Sequence, residues 1–219
     1  MNKYKVILFD LDGTLSDPVV GITKSVQYAL EKMGIKEPDL NKLACFIGPP
    51  LHVGFAEYYD FDKEETQKAI ALFRERFKEK GMFENELYPN IPALLQLLKK
   101  KQFILIVATS KPTVFAKQIL KYFQIDHYFD FVVGSNLDGT RADKTEIIEY
   151  IINKYKEYPR KDFTMIGDRK HDIIGANNTG IKSIGVTYGY GSIEELKLAE
   201  PLCTVKSVAE LEKVLVKHN

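Results

Sequence analysis

Five short segments of the chain are apolar on both faces: Val6–Phe9, Phe103–Ala108, Phe131–Gly134, Phe163–Ile166 and Ser183–Val186. Each is rich in Val, Ile, Phe or Leu, and most end at Asp, Gly, Thr or Ser. Runs without polar alternation suit strands of a parallel sheet covered by helices. Helix-length amphipathic stretches separate the later ones. Pro112–Phe123 follows Thr109-Ser110-Lys111, and Lys144–Lys156 carries Ile147, Ile148, Ile151, Ile152 and Tyr155 near 3.6 spacing. Asp172–Thr179 precedes Gly180, a helix-ending glycine, and Ser207–Lys217 sets Val208, Leu211, Val214 and Leu215 on one face. Strands alternating with helices predict an α/β fold with a Rossmann-like, doubly wound parallel sheet.

One connection is too long for that scheme. A strand–helix–strand unit needs roughly 30 residues, and the stretch from Phe9 to Phe103 far exceeds it. The excess carries helical patterns of its own. Asp17-Pro18 reads as an N-cap followed by proline at the first helical position. Ile22, Val26, Ala29, Leu30 and Met33 then mark one face, ending at Gly34. Asp62 to Lys80 reads as a long charged helix with Ile70, Phe73 and Phe77 inward, and Pro89 and Pro92 bracket the return. Residues 16–87 are therefore expected to form a small helical domain inserted into a core made of residues 1–15 and 88–219. An insert at this point is expected over the C-terminal edge of the sheet, where open α/β folds bind ligands.

Composition leaves this picture intact and removes several classes. The 219 residues suffice for one full domain plus a modest insert, and 45% hydrophobic with 28% charged residues is ordinary for a globular chain. Lys+Arg 31 against Asp+Glu 30 gives a net charge of +1, so there is no general electrostatic reason to bind nucleic acid or an anionic membrane. No apolar run approaches a membrane span, and the N-terminal apolar stretch is too short for a signal-peptide core. Cys45 and Cys203 make neither a disulfide framework nor a metal-ligand spacing. A reduced, cytoplasmic protein is expected, with oligomeric state unreadable.

Candidate chemistry gathers at the ends of the predicted strands. Asp10-Leu11-Asp12-Gly13-Thr14 follows the first. Residues i and i+2 of an extended chain point the same way, so Asp10 and Asp12 face one site, and Gly13 permits a sharp turn. Paired carboxylates repel unless a cation or shared proton compensates, and the pair can divide into an ionised nucleophile and a proton donor. Two acids capping a turn fit the pattern equally well. Phe103–Ala108 runs into Thr109-Ser110-Lys111, a hydroxyl and backbone N–H groups at a helix start, either an anion site or an ordinary cap. Phe163–Ile166 runs into Gly167-Asp168-Arg169-Lys170-His171-Asp172, where Asp168 can equally cap the helix and Asp172 lie on its surface. Lys144 opens a helix against the dipole, which invites an anionic neighbour.

These four elements, in this order and around a helical insert, resemble the haloacid-dehalogenase-like superfamily over essentially the whole chain. Asp10–Thr14 is similar to its first motif, Thr109 to its second, Lys144 to its third, and Asp168 with Asp172 to its fourth. Ile47-Gly48-Pro49-Pro50-Leu51 and Gly134-Ser135-Asn136-Leu137-Asp138-Gly139-Thr140-Arg141 resemble segments of the phosphoglycolate-phosphatase-like branch. Tyr88-Pro89-Asn90 departs from that branch's Tyr-Pro-Gly, a change expected to alter only a local turn.

The resemblance implies a Mg²⁺-dependent phosphatase acting on a small phosphorylated metabolite such as phosphoglycolate. Asp10 would be nucleophile and, with the Asp12 carbonyl and Asp168, a metal ligand; Asp172 would orient the site. Asp12 would be the general acid and base, and Lys144 would neutralise Asp10 and the transferring group. Thr109 and the Ser110 N–H would hold phosphoryl oxygens, with Gly13, Lys111 and Arg141 as further substrate contacts. An acid two residues after the nucleophile favours phosphoryl transfer over dehalogenation, because halide leaves without a proton. A phosphosugar mutase of the β-phosphoglucomutase type or a 5′-nucleotidase fits the same motifs, and so does a phosphate-binding regulatory protein without turnover. His52 and His171 are expected on the surface, and Tyr58, Tyr59, Phe73 and Phe77 in the core of the insert.

Overall fold

A computed structural model describes residues 4–217. In chain order the elements are β1 (Val6–Phe9), β2 (Ser16–Asp17), α1 (Val19–Lys32), α2 (Leu51–Tyr59), α3 (Lys63–Arg76), β3 (Glu86–Leu87), α4 (Ile91–Lys100), β4 (Ile104–Pro112), α5 (Thr113–Tyr122), β5 (Phe131–Ser135), α6 (Lys144–Lys154), β6 (Phe163–Gly167), α7 (Lys170–Asn178), β7 (Lys182–Val186), α8 (Ile193–Leu198), β8 (Cys203–Val205) and α9 (Val208–Lys217). The described chain divides into two compact units, Asp17–Glu86 and the remainder. β2 and β3 pair as a two-stranded ribbon where the chain passes from one unit to the other.

The larger unit is built on a six-stranded sheet ordered β5-β4-β1-β6-β7-β8, with every described pairing parallel. In order of appearance this is strand order 3-2-1-4-5-6, the doubly wound arrangement. The order reverses between β1 and β6, the switch point where such sheets open a ligand crevice at their carboxyl ends. Phe9 is in register with Val107 of β4 and Ile166 of β6, so the chain emerges from β1 at that point. Val6 and Leu8 of β1, with Phe163 and Met165 of β6, face one side and are buried against Ile147, Ile148 and Ile151 of α6. Four of the expected strands are longer than the hydrophobic pattern alone suggests. β4 runs through Thr109 to Pro112, with a register irregularity against β5 between Thr109 and Pro112. β8 is an edge strand beyond the five expected. α4 begins at the predicted return, with Pro92 in its first turn, where a missing N–H costs nothing. Asn90 takes a left-handed conformation (φ 69°) at its start, one that Asn tolerates better than most residues where glycine is usual.

The smaller unit is helical. α1 buries Ile22, Val26, Ala29 and Leu30, and Pro18 rather than Asp17 is its N-cap; the Asp17 carboxylate accepts from Val19 N at 3.1 Å. α3 opens on a reciprocal capping box, Asp62 accepting from Glu64 N and Glu65 N while Glu65 accepts from Asp62 N. It continues into a wider turn over Phe77–Gly81. Phe73 and Phe77 stack at 5.2 Å, and Phe46 and Phe55, both buried, meet at 4.9 Å, so these rings form the unit's core. His52 is exposed as expected, whereas Tyr58, expected in this core, is exposed and Tyr59 only half-buried. Cys45 and Cys203 are half-buried and not joined in a disulfide, and no helix among the described residues is long and apolar enough to cross a membrane.

Candidate active site

Four loops at the carboxyl ends of β1, β4, β5 and β6 bring the acidic, hydroxyl and ammonium groups into one buried cluster. Asp10 directly follows β1, its N–H donating to the Ile166 carbonyl of β6 at 2.9 Å, and the residue is 3% exposed. Asp168 directly follows β6 and is fully buried. Asp172 lies in the first turn of α7; its Oδ2 accepts from Arg169 N at 3.1 Å, and it is 1% exposed. It thus stabilises the helix start and also turns into the cluster. Ligand-capable oxygens of Asp10, Asp168 and Asp172 lie within 4.8 Å of one another.

Lys144, capped by Asp143 at the start of α6, is 3% exposed. Its Nζ lies 2.8 Å from Asp10 Oδ1 and 2.6 Å from Asp172 Oδ1, as ion pairs, and donates to the Ala108 carbonyl of β4 at 2.8 Å. A lysine that opposes its own helix dipole is therefore held by two carboxylates. Burial alone would lower the Lys144 ammonium, but Asp10 and Asp172 outweigh it and raise it, so it remains charged.

The chain turns sharply after Asp10. Asp12 sits outside β1, in a lone bridge with Ser16, and Leu11 O accepts from Thr14, Leu15 and Ser16 N. Gly13 makes the turn possible with φ 78°; a Cβ there would fall 2.5 Å from Asp168 Cγ. Asp12 is 7% exposed, and its Oδ2 pairs with Lys111 Nζ at 2.8 Å. Its Oδ1 is buried without a hydrogen-bond partner. Burial pushes the Asp12 carboxyl up, opposed by Lys111. The same cause, burial, raises Asp168 well above the usual carboxylate range and Asp172 to about 6.

Thr109 is buried, and its hydroxyl oxygen accepts from Lys111 N at 3.3 Å. Thr109, Ser110 and Lys111 lie in the extended, irregular end of β4 rather than in the first turn of α5. Lys111, expected against phosphate, stands on Asp12. Arg141, expected against substrate, is engaged by its own loop. Its Nε donates to Gly134 O at 3.0 Å, one terminal nitrogen donates to Asn136 Oδ1 at 3.2 Å, and the guanidinium lies 4.6 Å from the Tyr150 ring centre. His171 is half-buried rather than on the surface.

A segment missed in the sequence completes the cluster. Tyr188-Gly189-Tyr190-Gly191 follows β7, and the Tyr190 N–H donates to Asp168 Oδ2 at 2.8 Å. The signal was its position: a glycine-rich loop leaving the next strand of the same sheet edge.

The carboxylates fit a divalent cation. Three buried acids cluster and one lysine pairs with two of them, which leaves excess negative charge where water is scarce, and all the donors are hard oxygens of the kind magnesium takes. Asp12, in contact with Lys111, is not one of those three acids.

Known proteins place this architecture. Residues 7–186 match the family model described as haloacid dehalogenase-like hydrolase. A 5′-nucleotidase of Pseudomonas aeruginosa is 46% identical, the match covering 99% of this chain and 97% of that protein. A phosphoglycolate phosphatase of Mannheimia succiniciproducens is 30% identical over 98% of this chain and 99% of its own length. The crystal structure of a predicted phosphatase from Clostridium acetobutylicum superposes with a TM-score of 0.95 at 52% identity, covering 98% of this chain and 99% of that one. The chain belongs to the haloacid dehalogenase-like hydrolase family and is a phosphomonoester hydrolase of it.

Proposed function

We propose that this phosphatase is Mg²⁺-dependent and moves the phosphoryl group of a small monoester first to Asp10 and then to water. The observation that carries the reading is the buried Asp10–Asp168–Asp172 cluster neutralised from one side by Lys144. Asp10, the Asp12 carbonyl and Asp168 would hold the cation, which when bound offsets charge on the phosphoryl oxygens.

The remaining steps belong to the chain. A carboxylate oxygen of Asp10 attacks phosphorus in line, and the bond to the leaving alkoxide breaks as an aspartyl-phosphate forms. Asp12 gives its proton to the alkoxide. Asp12, now ionised, takes a proton from the water that attacks the aspartyl-phosphate, which releases inorganic phosphate and restores both acids. Thr109 and the Ser110 N–H hold the phosphoryl oxygens, and Lys144, paired with Asp10, balances charge in the transition state. Burial supports the acid role of Asp12, since it favours the protonated form.

Two substrate classes follow from the relatives. The 46% identity to a 5′-nucleotidase puts nucleoside 5′-monophosphates ahead of phosphoglycolate, whose phosphatase is 30% identical. Initial rates on p-nitrophenyl phosphate, a nucleoside 5′-monophosphate, phosphoglycolate and glucose 1-phosphate test this. Release of phosphate that needs Mg²⁺ and stops with EDTA is expected; rates indifferent to EDTA refute the metal requirement. Conversion of glucose 1-phosphate to glucose 6-phosphate without free phosphate would instead identify a mutase.

The acid role has its own test. Asp12→Asn is expected to slow alkyl phosphates by roughly a hundredfold or more, in the range of general acid–base contributions. In single-turnover measurements, which read only the first transfer to Asp10, it should slow p-nitrophenyl phosphate much less, because p-nitrophenolate leaves without a proton. Equal single-turnover losses on both substrates would refute a proton donor at this position.

A further inference from the structure

The loop after β7 has no role in the steps above, yet it is built around Asp168. We propose that Tyr188-Gly189-Tyr190-Gly191 is a positioning clamp that locks the Asp168 carboxylate and the Gly13–Thr14 turn into one cation-binding arrangement. The inference rests on the metal reading of the cluster.

Four contacts carry it. The Tyr190 N–H donates to Asp168 Oδ2 at 2.8 Å, which fixes one oxygen of a fully buried carboxylate. The Tyr188 hydroxyl donates to the Thr14 carbonyl at 3.0 Å, tying the same loop to the turn after Asp10. Thr14 closes the triangle, its hydroxyl aimed at Asp168 Oδ1 at 3.5 Å. Tyr188 is braced in turn, its ring edge-on to Tyr88 with centroids 4.8 Å apart.

The fit leaves no slack. A Cβ added at Gly189 would lie 2.5 Å from both Cβ and Oδ2 of Asp168, and one at Gly191 would overlap the Asp168 carbonyl. Neither neighbour is the loose end of a flexible chain, so an alanine must displace either the loop or the carboxylate. Without the loop the Asp168 carboxylate would face repulsion from Asp10 and Asp172 with the more distant Thr14 hydroxyl still beside it but no donor on Oδ2. Donors on both oxygens, the Tyr190 N–H on Oδ2 and the more distant Thr14 hydroxyl toward Oδ1, fix the orientation of the carboxylate, as hydrogen-bond partners of a metal ligand commonly do.

The test is titration of the substrate-free protein with Mn²⁺, followed by calorimetry, alongside circular dichroism and thermal melts. Wild type is expected to bind one Mn²⁺ saturably. Gly189→Ala is expected to weaken binding by about 10- to 100-fold. Tyr188→Phe keeps the ring and removes only the donor, so it should weaken binding severalfold with unchanged circular dichroism. It carries the test if Gly189→Ala fails to fold. A merely structural loop would lower the melting temperatures and leave the affinities at the wild-type value, which overturns the clamp alone. Failure of the wild type to bind Mn²⁺ overturns the metal reading and the clamp together.

Discussion

Asp10→Asn is expected to give a folded protein whose Mg²⁺-dependent phosphatase rate falls by roughly a thousandfold or more, the scale seen when a covalent nucleophile is removed. The substitution keeps shape and volume, so no cavity opens at a position that is 3% exposed. The carboxamide presents no anionic oxygen for attack on phosphorus. Lys144 keeps its ion pair with Asp172 and its bond to the Ala108 carbonyl, so the ammonium is not stranded. The loss of one ion pair is offset by relief of repulsion among three buried acids, and the melting temperature without divalent cation should stay close to that of the wild type. A purified variant with rates near the wild type on p-nitrophenyl phosphate would eliminate Asp10 as the attacking group. Rates and melts on one preparation separate loss of chemistry from loss of fold.

The groups legible in the sequence are those whose position is anomalous without a partner. Asp10 and Asp12 stand two residues apart after a wholly apolar strand, and Lys144 opens a helix against its dipole; both are costly until the other is nearby. The sheet was legible for the same reason, since strands buried on both faces leave long unbroken apolar runs. Less was visible where the deciding contact is made by backbone. The Tyr190 N–H that holds Asp168 is a group every non-proline residue carries, so only the path of the chain reveals it. β8 escaped notice because three residues at a sheet edge, with Thr204 partly outward, make no pattern. Lys111 and Arg141 were ambiguous because a long cationic side chain reaches several anions. Their sequence neighbourhood does not record that one meets Asp12 and the other the carbonyl of Gly134.

Lys144→Met should cost both stability and activity, and the stability loss should grow with pH. Methionine roughly preserves volume, so the effect reports the charge. Removing the ammonium leaves Asp10 and Asp172 buried and facing each other without the cation that touched both. Stripping one partner from a buried ion pair costs about 3–5 kcal/mol, which in a chain of this size lowers the melting temperature by on the order of 10 °C. The sign of the pH effect follows from Asp172. Its carboxyl is raised by burial from 3.8 to about 6 even with Lys144 opposing that rise. A carboxyl with a raised folded pKa contributes stability below its unfolded value and loses it as pH climbs through the folded value. Without Lys144 the folded value rises further, so the penalty extends to higher pH. Melts of the cation-free proteins should differ little at pH 5 and widely at pH 8. Loss of a charge donor aimed at the transferring group should also lower the rate by about 10²- to 10³-fold. A variant that matches the wild type in melting temperature at pH 8 would mean that Asp10 and Asp172 are not the neighbours that make a buried ammonium stable here.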